Sequence, residues 1–472
     1  MLFLATMSLL VGQSSLQVPP DGQTINPKQP IGPGHYQASG SDAHPAWVVR
    51  GNDFTLDMTG RVLRSSLASG QIQESFTGTG VLLDGCQNVT LKNVDISGFR
   101  YNIVLRNCSK VRLVGCQVDK SRALRMSSEG KPSDMQLKVR DLAAWREYGA
   151  GIWLEKCNAC VLEQNHATHA QNGIVLVDSS HCNLVDNDCS TNGGWGFALW
   201  RSDRNTLAWN HADFCNRFSA QGWGGDSAGV VAVNNSVANQ FISNSLTHDG
   251  VGLKLSNKTG QAETAPTGSI QNFISHNDAS WSSNNAFEAV RSDTNLFYGN
   301  LAEDSHNGFW FEYSNAPFLL DNEILRNQVN GISIRDGIGA MIYRNRIIEN
   351  AANGINFESN PNSPSQSPMT GPNKVYENRI TDSRTAVATQ NKWQAVIMGN
   401  TVERAGVPAG TNTRMPPFVE RMKLANWHDS PTAKRLDGWL KLKPKNWMSY
   451  RETSGIKGTQ ALKPGPYAPL HP

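Results

Sequence analysis

The chain has 472 residues, and its 42 glycines and 44 asparagines together slightly outnumber its 43 Lys+Arg and 40 Asp+Glu residues. A hydrophobic content of 39% is too high for a disordered chain, and 18% charged residues is too low for a coiled coil. A mean hydropathy of −0.42 argues against a multi-span membrane protein, and a net charge of +3 gives no indication of nucleic-acid binding.

The N-terminus contains a short apolar run over residues 2–11, followed by small polar residues at 12–15. This pattern resembles the hydrophobic region of a signal peptide, although no basic residue precedes it. The run is too short for a transmembrane anchor, and the alternative is a buried N-terminal strand or helix. We therefore expect a signal peptide over residues 1–20, a lead-in over 21–47, export of the protein and no stable membrane insertion.

A repeat begins after the lead-in. Short apolar segments end in an asparagine at intervals of 22 or 23 residues, lengthened to 33 or 34 at three places. Eight or nine residues after most of these asparagines, a glycine or alanine precedes an alternating apolar segment. The pattern predicts about twelve rungs of 22–23 residues over 48–403, with the asparagine amides stacked at a turn. The recurrent asparagines are Asn165, Asn187, Asn210, Asn244, Asn277, Asn300, Asn322, Asn345, Asn378 and Asn400.

The alternating segments specify the fold class. Positions one and three after each small residue are apolar, as in Ile152 and Leu154 or Ile332 and Ile334, so these columns should stack inward. One coil per repeat with stacked short parallel strands is a solenoid. Over residues 48–403 the sequence resembles the right-handed parallel β-helix proteins of the pectin-lyase-like superfamily. The predicted fold class is therefore all-β, a right-handed parallel β-helix.

This resemblance implies an exported protein that acts on polysaccharides as a lyase, hydrolase or C5-epimerase. A narrower resemblance is to bacterial β-helix proteins with segments similar to GGDSAG (224–229), to the Thr-His-x-Gly-x-Gly run at 247–252 and to Asn-x-x-Glu-Ala at 285–289. The narrower resemblance implies no particular reaction.

The composition changes at residues 404–472, which contain 12 Lys+Arg and 4 Asp+Glu, a net charge of +8. Helical spacing occurs around residues 418–424 and 436–442, with proline-rich stretches between and after them. We expect a short, partly helical cap on the last rung. The alternative is a basic tail that binds an acidic polysaccharide or a membrane surface.

All eight cysteines lie between residues 86 and 215. Rungs about 4.8 Å apart would permit one or two disulfides, but columns of buried thiols are the simpler interpretation. The Cys157-x-x-Cys160 spacing is half of a metal site without a second pair. We therefore predict no metal and no cofactor, and calcium binding has no clear motif.

The outward positions of the alternating strands contain the candidate site. Tryptophans interleaved with charged residues suit a sugar chain, because pyranose faces stack on aromatic rings. Insertions near 119–149, 211–228, 257–268 and 359–371 border the same face and should make a groove. The alternative is that loops and tail simply bury the tryptophans. The predicted substrate-binding residues are Trp153, Trp200, Asp249, Lys254, Arg291, Trp310, Tyr313 and Arg335.

Two carboxylate pairs are candidates for catalysis. Glu288 and Glu312 lie one rung apart with an offset of two residues, so their Cα atoms should be roughly 8 Å apart. Asp226 and Asp249 each lie three residues before a strand and should stack at the groove edge, where one pKa would be raised. Glu288 beside Lys254 could instead be only a surface ion pair, and the two aspartates could be turn caps.

His248 and His306 stand on the same rim and could act as base or proton donor, or be ordinary turn residues.

Three functions follow from these residues. The first is a glycoside hydrolase that uses Glu288 with Glu312 or Asp226. The second is a lyase or C5-epimerase of uronate polymers, in which Lys254, Arg291 or Arg335 neutralises the carboxylate and His248 or His306 abstracts the C5 proton. The third is a non-catalytic carbohydrate-binding or NosD-like accessory solenoid. The expected partner is a polysaccharide or oligosaccharide, and the expected state is a monomer.

Overall fold

The structure is a computed structural model that describes residues 20–125, 136–219, 222–223, 226–257, 268–359, 372–389 and 395–405. Four predicted segments lie largely outside these residues. They are the signal peptide, the C-terminal cap from residue 406, and the insertions at 257–268 and 359–371. The chain passes in each coil through three parallel sheets, here named sheets 1, 2 and 3 in chain order. The fold is a right-handed parallel β-helix: the repeat predicts the stacked parallel strands, and the resemblance to the pectin-lyase-like superfamily implies the handedness.

Sheet 1 contains the alternating strands that follow the small residues, and sheet 2 contains the strands that precede the recurrent asparagines. The 14 described strands of sheet 1 are Gln23–Ile25, Trp47–Val49, Thr79–Asp84, Tyr101–Arg106, Ala150–Glu155, Asn172–Val177, Trp195–Trp200, Ala228–Val233, Val251–Ser256, Asn285–Val290, Asn307–Glu312, Ile332–Arg335, Asn353–Glu358 and Thr385–Thr389. The 13 described strands of sheet 2 are Asn52–Asp57, Gln87–Lys92, Arg112–Val114, Val161–Glu163, Asn183–Val185, Thr206–Ala208, Gln240–Ile242, Phe273–Ser275, Leu296–Tyr298, Phe318–Leu320, Met341–Tyr343, Asn373–Tyr376 and Ala395–Met398.

Sheet 3 is continuous along the solenoid but narrows in the middle to single bridged residues, from Gln117 through His166, Asp188, His211 and Ser245 to Asp278. Its strands are Gly34–Ala38, Arg61–Ser65 and Asp95–Ser97, then Leu301–Glu303, Glu323–Leu325, Arg346–Ile348, Arg379–Thr381 and Thr401–Glu403.

Few other elements occur in the described residues. An antiparallel hairpin joins Phe218–Ser219 and Gly222–Trp223. The helices are the 3-10 turns Ser66–Ala68 and Gln73–Ser75 and the α-helix Leu142–Tyr148. In the part of the chain that the structure describes, no helix is long and apolar enough to cross a membrane.

The residues predicted as a lead-in contribute strands to the solenoid. Gln23–Ile25 pairs in parallel with Trp47–Val49, and Gly34–Ala38 pairs with Arg61–Ser65. The regular 22–23-residue period does not extend to these residues, which is why the sequence pattern places the start of the β-helix later than the structure does.

The interior confirms the predicted columns. Ile152, Leu154, Ile332 and Ile334 are at most 1% exposed and belong to one continuous core. Inward side chains of successive rungs stack because the strands pair in register, for example Ile152 with Ile174 and Leu154 with Leu176. Burial of these columns supplies the main driving force for the fold.

The predicted asparagine ladder is also confirmed. From Asn165 to Asn400, the side-chain amide of each asparagine donates to Oδ1 of the next at 2.8–3.0 Å. A second, shorter ladder at the corner between sheets 1 and 2 runs through Asn205, Asn239, Asn272 and Asn295. Both ladders satisfy backbone and side-chain polar groups at buried corners, where water cannot do so.

The eight cysteines are buried free thiols. All eight lie in the same core as the apolar columns, and Cys116, Cys189 and Cys215 are each 0% exposed. Burial raises the pKa of Cys189 and Cys215 well above the usual thiol range. The predicted thiol columns therefore fill the interior as small apolar groups.

Candidate functional site

The outer surface of sheet 1 is divided into an apolar and a polar half. Along the central outward column, Val175, Ala198 and Val231 lie in register with one another, and Lys254 follows them. Lys254 is then in register with Glu288, followed by Trp310, Ser333 and Asn356. We call the outer surface of strands Val251–Ser256 to Asn353–Glu358 the polar face.

A segment of the chain covers the apolar half. The α-helix Leu142–Tyr148 places Trp145 against the outward rings of Trp195 and Trp200, with ring centroids 4.6 and 5.2 Å apart. These side chains form a second apolar core outside the solenoid. The apolar half of the sheet is thus a packing surface.

The prediction that Trp153 and Trp200 line an exposed groove is therefore wrong. Trp153 is 3% exposed and packs edge-on to Tyr101, and Trp200 is 7% exposed beneath Trp145. The alternative that loops bury the tryptophans holds at both positions. Of the three tryptophans predicted to bind substrate, Trp310 is the half-buried one, and it lies on the polar face.

An ion triad, in which Lys254 and Glu288 are buried and Asp226 is partly exposed, occupies the boundary of the polar face. The Lys254 ammonium lies 3.0 Å from Glu288 Oε1 and 3.5 Å from Asp226 Oδ1. Burial lowers the pKa of Lys254, but the charges of Glu288 and Asp226 outweigh this and raise its pKa overall. The Lys254 and Glu288 side chains are only 9% and 8% exposed, so this is not the surface ion pair considered from sequence.

Asparagines hold the second oxygen of Glu288. Asn285 Nδ2 donates to Glu288 Oε2 at 2.9 Å, and Asn307 Nδ2 donates to Asn285 Oδ1 at 3.0 Å. Both Glu288 oxygens therefore have fixed partners, and the carboxylate is oriented before any ligand binds. These asparagines were not predicted as site residues, although the Asn-x-x-Glu-Ala segment contains the relevant signal.

Glu312 has a different environment. Its carboxylate lies 3.7 Å from Arg335 Nη1, while Arg335 Nε lies 3.2 Å from Glu358 Oε1. Burial raises the pKa of Glu312, Arg335 lowers it, and the negative charge of Glu288 raises it again, with a net upward shift. The polar face thus contains a carboxylate bound to an ammonium and, on the next strand, a carboxyl whose pKa is raised.

Aromatic rings and guanidinium groups pair on the same face. Arg335 lies over the Trp310 ring with 4.7 Å to the centroid, and Arg291 lies over Tyr313 with 4.5 Å. Such stacking fixes the rings and keeps one ring face packed. The predicted residues Lys254, Arg291, Trp310, Tyr313 and Arg335 are therefore all located on or beside the polar face.

Arg140 closes the edge of the polar face toward the apolar half. Its Nε and Nη2 atoms donate to Ser256 Oγ at 3.0 and 2.7 Å. Burial lowers the pKa of Arg140, as does the nearby Arg291, while Asp226, Glu288 and Glu312 oppose this. Sequence analysis missed Arg140, because it lies in an insertion that has no register with the rungs.

Asn356 contributes an acceptor without a partner. It is 5% exposed, and its Oδ1 accepts no hydrogen bond. A buried acceptor without a donor is rare and costs free energy. Its outward position beside Ser333 is therefore suited to a ligand that brings a hydroxyl or N–H group.

The predicted stacking of Asp226 and Asp249 at the groove edge is wrong. Asp226 faces Lys254, but Asp249 turns into the core, is 0% exposed and accepts from the Cys215 backbone N–H at 2.6 Å. Burial raises the pKa of Asp249 well above its usual range. Asp249 is thus a corner residue of the interior and cannot contact a substrate on sheet 1.

The two histidines lie at the corner between sheets 3 and 1. The ring of His248 is stacked between Phe214 and Trp281, with centroid distances of 4.7 and 4.9 Å, and burial lowers its pKa. His306 is half-buried, and its backbone N–H donates to Asn284 O at 2.9 Å. The structure does not bring His248 into the triad, which weakens the lyase interpretation that uses it as the base.

Solved structures with a similar shape include the A-module of the mannuronan C-5 epimerase AlgE6 of Azotobacter vinelandii. That match has 11% identity and a TM-score of 0.48 and covers 80% of this chain and 90% of that one. A mutant of the periplasmic alginate epimerase AlgG matches at 12% identity and a TM-score of 0.41, covering 75% and 77%. The DFA-IIIase of Arthrobacter chlorophenolicus A6 matches at 9% identity and a TM-score of 0.36, covering 67% and 70%. No curated protein matches the sequence.

A family model described as periplasmic copper-binding protein (NosD) matches residues 50–264 and 233–414. Copper prefers thiolate, thioether and imidazole ligands. The cysteines are buried in the core, His166 and His211 each face an aspartate, and no three His, Cys, Asp or Glu side chains within the described ranges could hold a metal ion. Among the described residues, the Cys and His side chains therefore do not come together as a copper centre. The two matched ranges span more than half of the 472 residues, and the chain belongs to the NosD family.

Proposed function

We propose that the protein is an exported, carbohydrate-active β-helix that hydrolyses a glycosidic bond on the polar face. In this proposal Glu312 is the general acid and Glu288 is the base or nucleophile. The proposal rests mainly on the contrast between these two carboxyl groups, since a glycosidase needs one protonated and one ionised carboxyl on either side of the bond.

Glu288 suits the ionised role because Lys254 and Asn285 contact its two oxygens. Glu312 suits the acid role because its pKa is raised, chiefly by burial. Val290, not Glu288, is in register with Glu312, so the two glutamates are one strand and two residues apart. Their Cα atoms are then roughly 8 Å apart, a separation at which side-chain rotamers decide between retention and inversion.

The neighbouring groups suit a sugar. The Trp310 ring, backed by Arg335, offers an aromatic surface, and the buried, unpartnered acceptor of Asn356 suits a hydroxyl. Arg140 and Lys254 bound the site on the other side.

The test is a panel of neutral and uronate polysaccharides assayed both for reducing ends and for ultraviolet absorbance from unsaturated products. Hydrolysis produces reducing ends without that absorbance, whereas a lyase produces both. Glu288→Gln should abolish turnover while the circular dichroism spectrum stays unchanged. The control is Glu349→Gln, which changes an exposed glutamate at a remote corner and should leave turnover intact. Unchanged turnover in Glu288→Gln would refute the assignment.

A second candidate is a solenoid that binds a carbohydrate without catalysis, and it is compatible with a family description that names a binding protein and no enzyme. Saturable binding of a polysaccharide by the wild-type protein, with no product of either kind, would support this candidate over the first.

A further inference from the structure

A cleft of about 590 Å³ lies on the outer side of sheet 3, away from the polar face of sheet 1. It occupies the rungs in which sheet 3 narrows to single bridged residues, so the flat sheet surface is interrupted there. Its volume is within the range of small-ligand sites.

Two His–Asp pairs line the cleft. His166 Nδ1 lies 3.6 Å from Asp188 Oδ2, and His211 Nδ1 lies 3.4 Å from Asp213 Oδ2. Asp213 is held firmly, because its Oδ1 accepts from Ser245 Oγ and from both the backbone N–H and the hydroxyl of Thr247, each at 2.8 Å. The polar wall is therefore positioned by contacts that do not require a ligand.

Phe214 forms the apolar wall. It is 37% exposed, one of only three exposed large hydrophobic side chains among the described residues. His248 stacks behind it at 4.7 Å with an interplanar angle of 24°, and Trp281 supports His248. The backbone of Phe214 is in the left-handed region with φ 62°, which is unfavourable for an aromatic residue and is imposed by the repeated corner. The exposed ring is thus held in place as a flat surface.

We propose that this cleft is a second carbohydrate site, which binds an uncharged pyranose unit with its face on Phe214 and its hydroxyls on the His and Asp side chains. Aspartate accepts hydrogen bonds from sugar hydroxyls, and imidazole can both donate a hydrogen bond to them and accept one from them. The exposed Phe214 ring provides the stacking surface. Lining carboxylates at Asp186, Asp188 and Asp213 would repel a uronate. This site is independent of the proposed hydrolysis on the polar face.

The test is isothermal titration of the full chain with uncharged hexasaccharides (β-1,4-glucan, β-1,4-mannan, β-1,4-xylan and α-1,4-glucan) and with a uronate hexasaccharide. The Glu288→Gln background prevents turnover during the titration. We expect at least one uncharged hexasaccharide to bind, and Phe214→Ala to weaken that binding roughly tenfold, the effect of losing one aromatic contact. Leu67→Ala, which removes a remote side chain that is 52% exposed, is the matched control and should leave binding unchanged.

Three results would overturn the inference: no uncharged hexasaccharide binds, Phe214→Ala and Leu67→Ala bind equally well, or only the uronate binds in a Phe214-dependent way. Turnover of a small aryl glycoside by Phe214→Ala, in the otherwise wild-type chain, separates the two sites. If the variant keeps its turnover but binds the hexasaccharide more weakly, the cleft is a separate site. If the variant loses its turnover, Phe214 belongs to the hydrolytic site. Binding without any turnover in the wild-type chain would refute only the proposed hydrolysis.

Discussion

Asn277, in the middle of the long ladder, provides a quantitative test of how the solenoid is held together. Its amide donates to Phe241 O and Asn300 Oδ1, both at 3.0 Å, and its Oδ1 accepts from the backbone N–H and the amide of Asn244 at 2.9 and 2.8 Å. Asn277→Ala removes these four bonds at a site with 0% exposure. At about 1 kcal/mol each, the expected loss in the free energy of unfolding is about 4 kcal/mol.

The assay is urea denaturation followed by circular dichroism, with the midpoint and slope fitted for each variant. Asn158→Ala is the matched control, because Asn158 is exposed and donates to Ser180 Oγ at 2.9 Å outside the ladder. We expect the control to lose less than about 1 kcal/mol. An Asn277→Ala loss equal to that of the control would refute the view that the ladder stabilises the stacked coils.

Three further predictions concern the polar face and the thiols. Lys254→Met should lower the free energy of unfolding by roughly 3–5 kcal/mol in the same urea titrations, because it leaves the Glu288 carboxylate buried without a counter-ion. Adding Glu288→Gln should restore part of this loss. A double variant that is no more stable than Lys254→Met alone would contradict the prediction. If Glu312 is the general acid, kcat/KM should fall as the pH rises through the raised pKa of Glu312. Arg335 lowers that pKa, so Arg335→Gln should shift the alkaline limb of the pH profile to higher pH. An alkaline limb that does not move would contradict the role. The eight buried thiols should react with a disulfide reagent only after denaturation, and rapid reaction of the native protein would show that the columns are accessible.

The interior could be predicted from sequence because its rules are local. A period of two assigns Phe287 and Ala289 to the core and Glu288 to the outside, and the 22–23-residue spacing brings equivalent residues of successive coils together. The asparagine ladder follows from the same spacing, since an amide has both a donor and an acceptor along the stacking axis.

The outer surface could not be predicted in this way. Trp200 and Trp310 both follow the alternating pattern outward, yet the first is covered by Trp145 and the second is on the polar face. Asp226 and Asp249 have the same offset from their strands, yet one faces Lys254 and the other faces the core. Arg140 reaches Ser256 from an insertion 116 residues away in the chain.

The amino-acid sequence by itself thus determined the repeat, the direction of each side chain on its strand and the register of neighbouring coils, because all three depend on short-range periodicity. Only the tertiary structure decided which outward residues are covered, which carboxylates have counter-ions and where an aromatic ring stays exposed. Those properties depend on how insertions without periodicity fold back across the coils, and long-range contacts of this kind leave no regular pattern in the sequence.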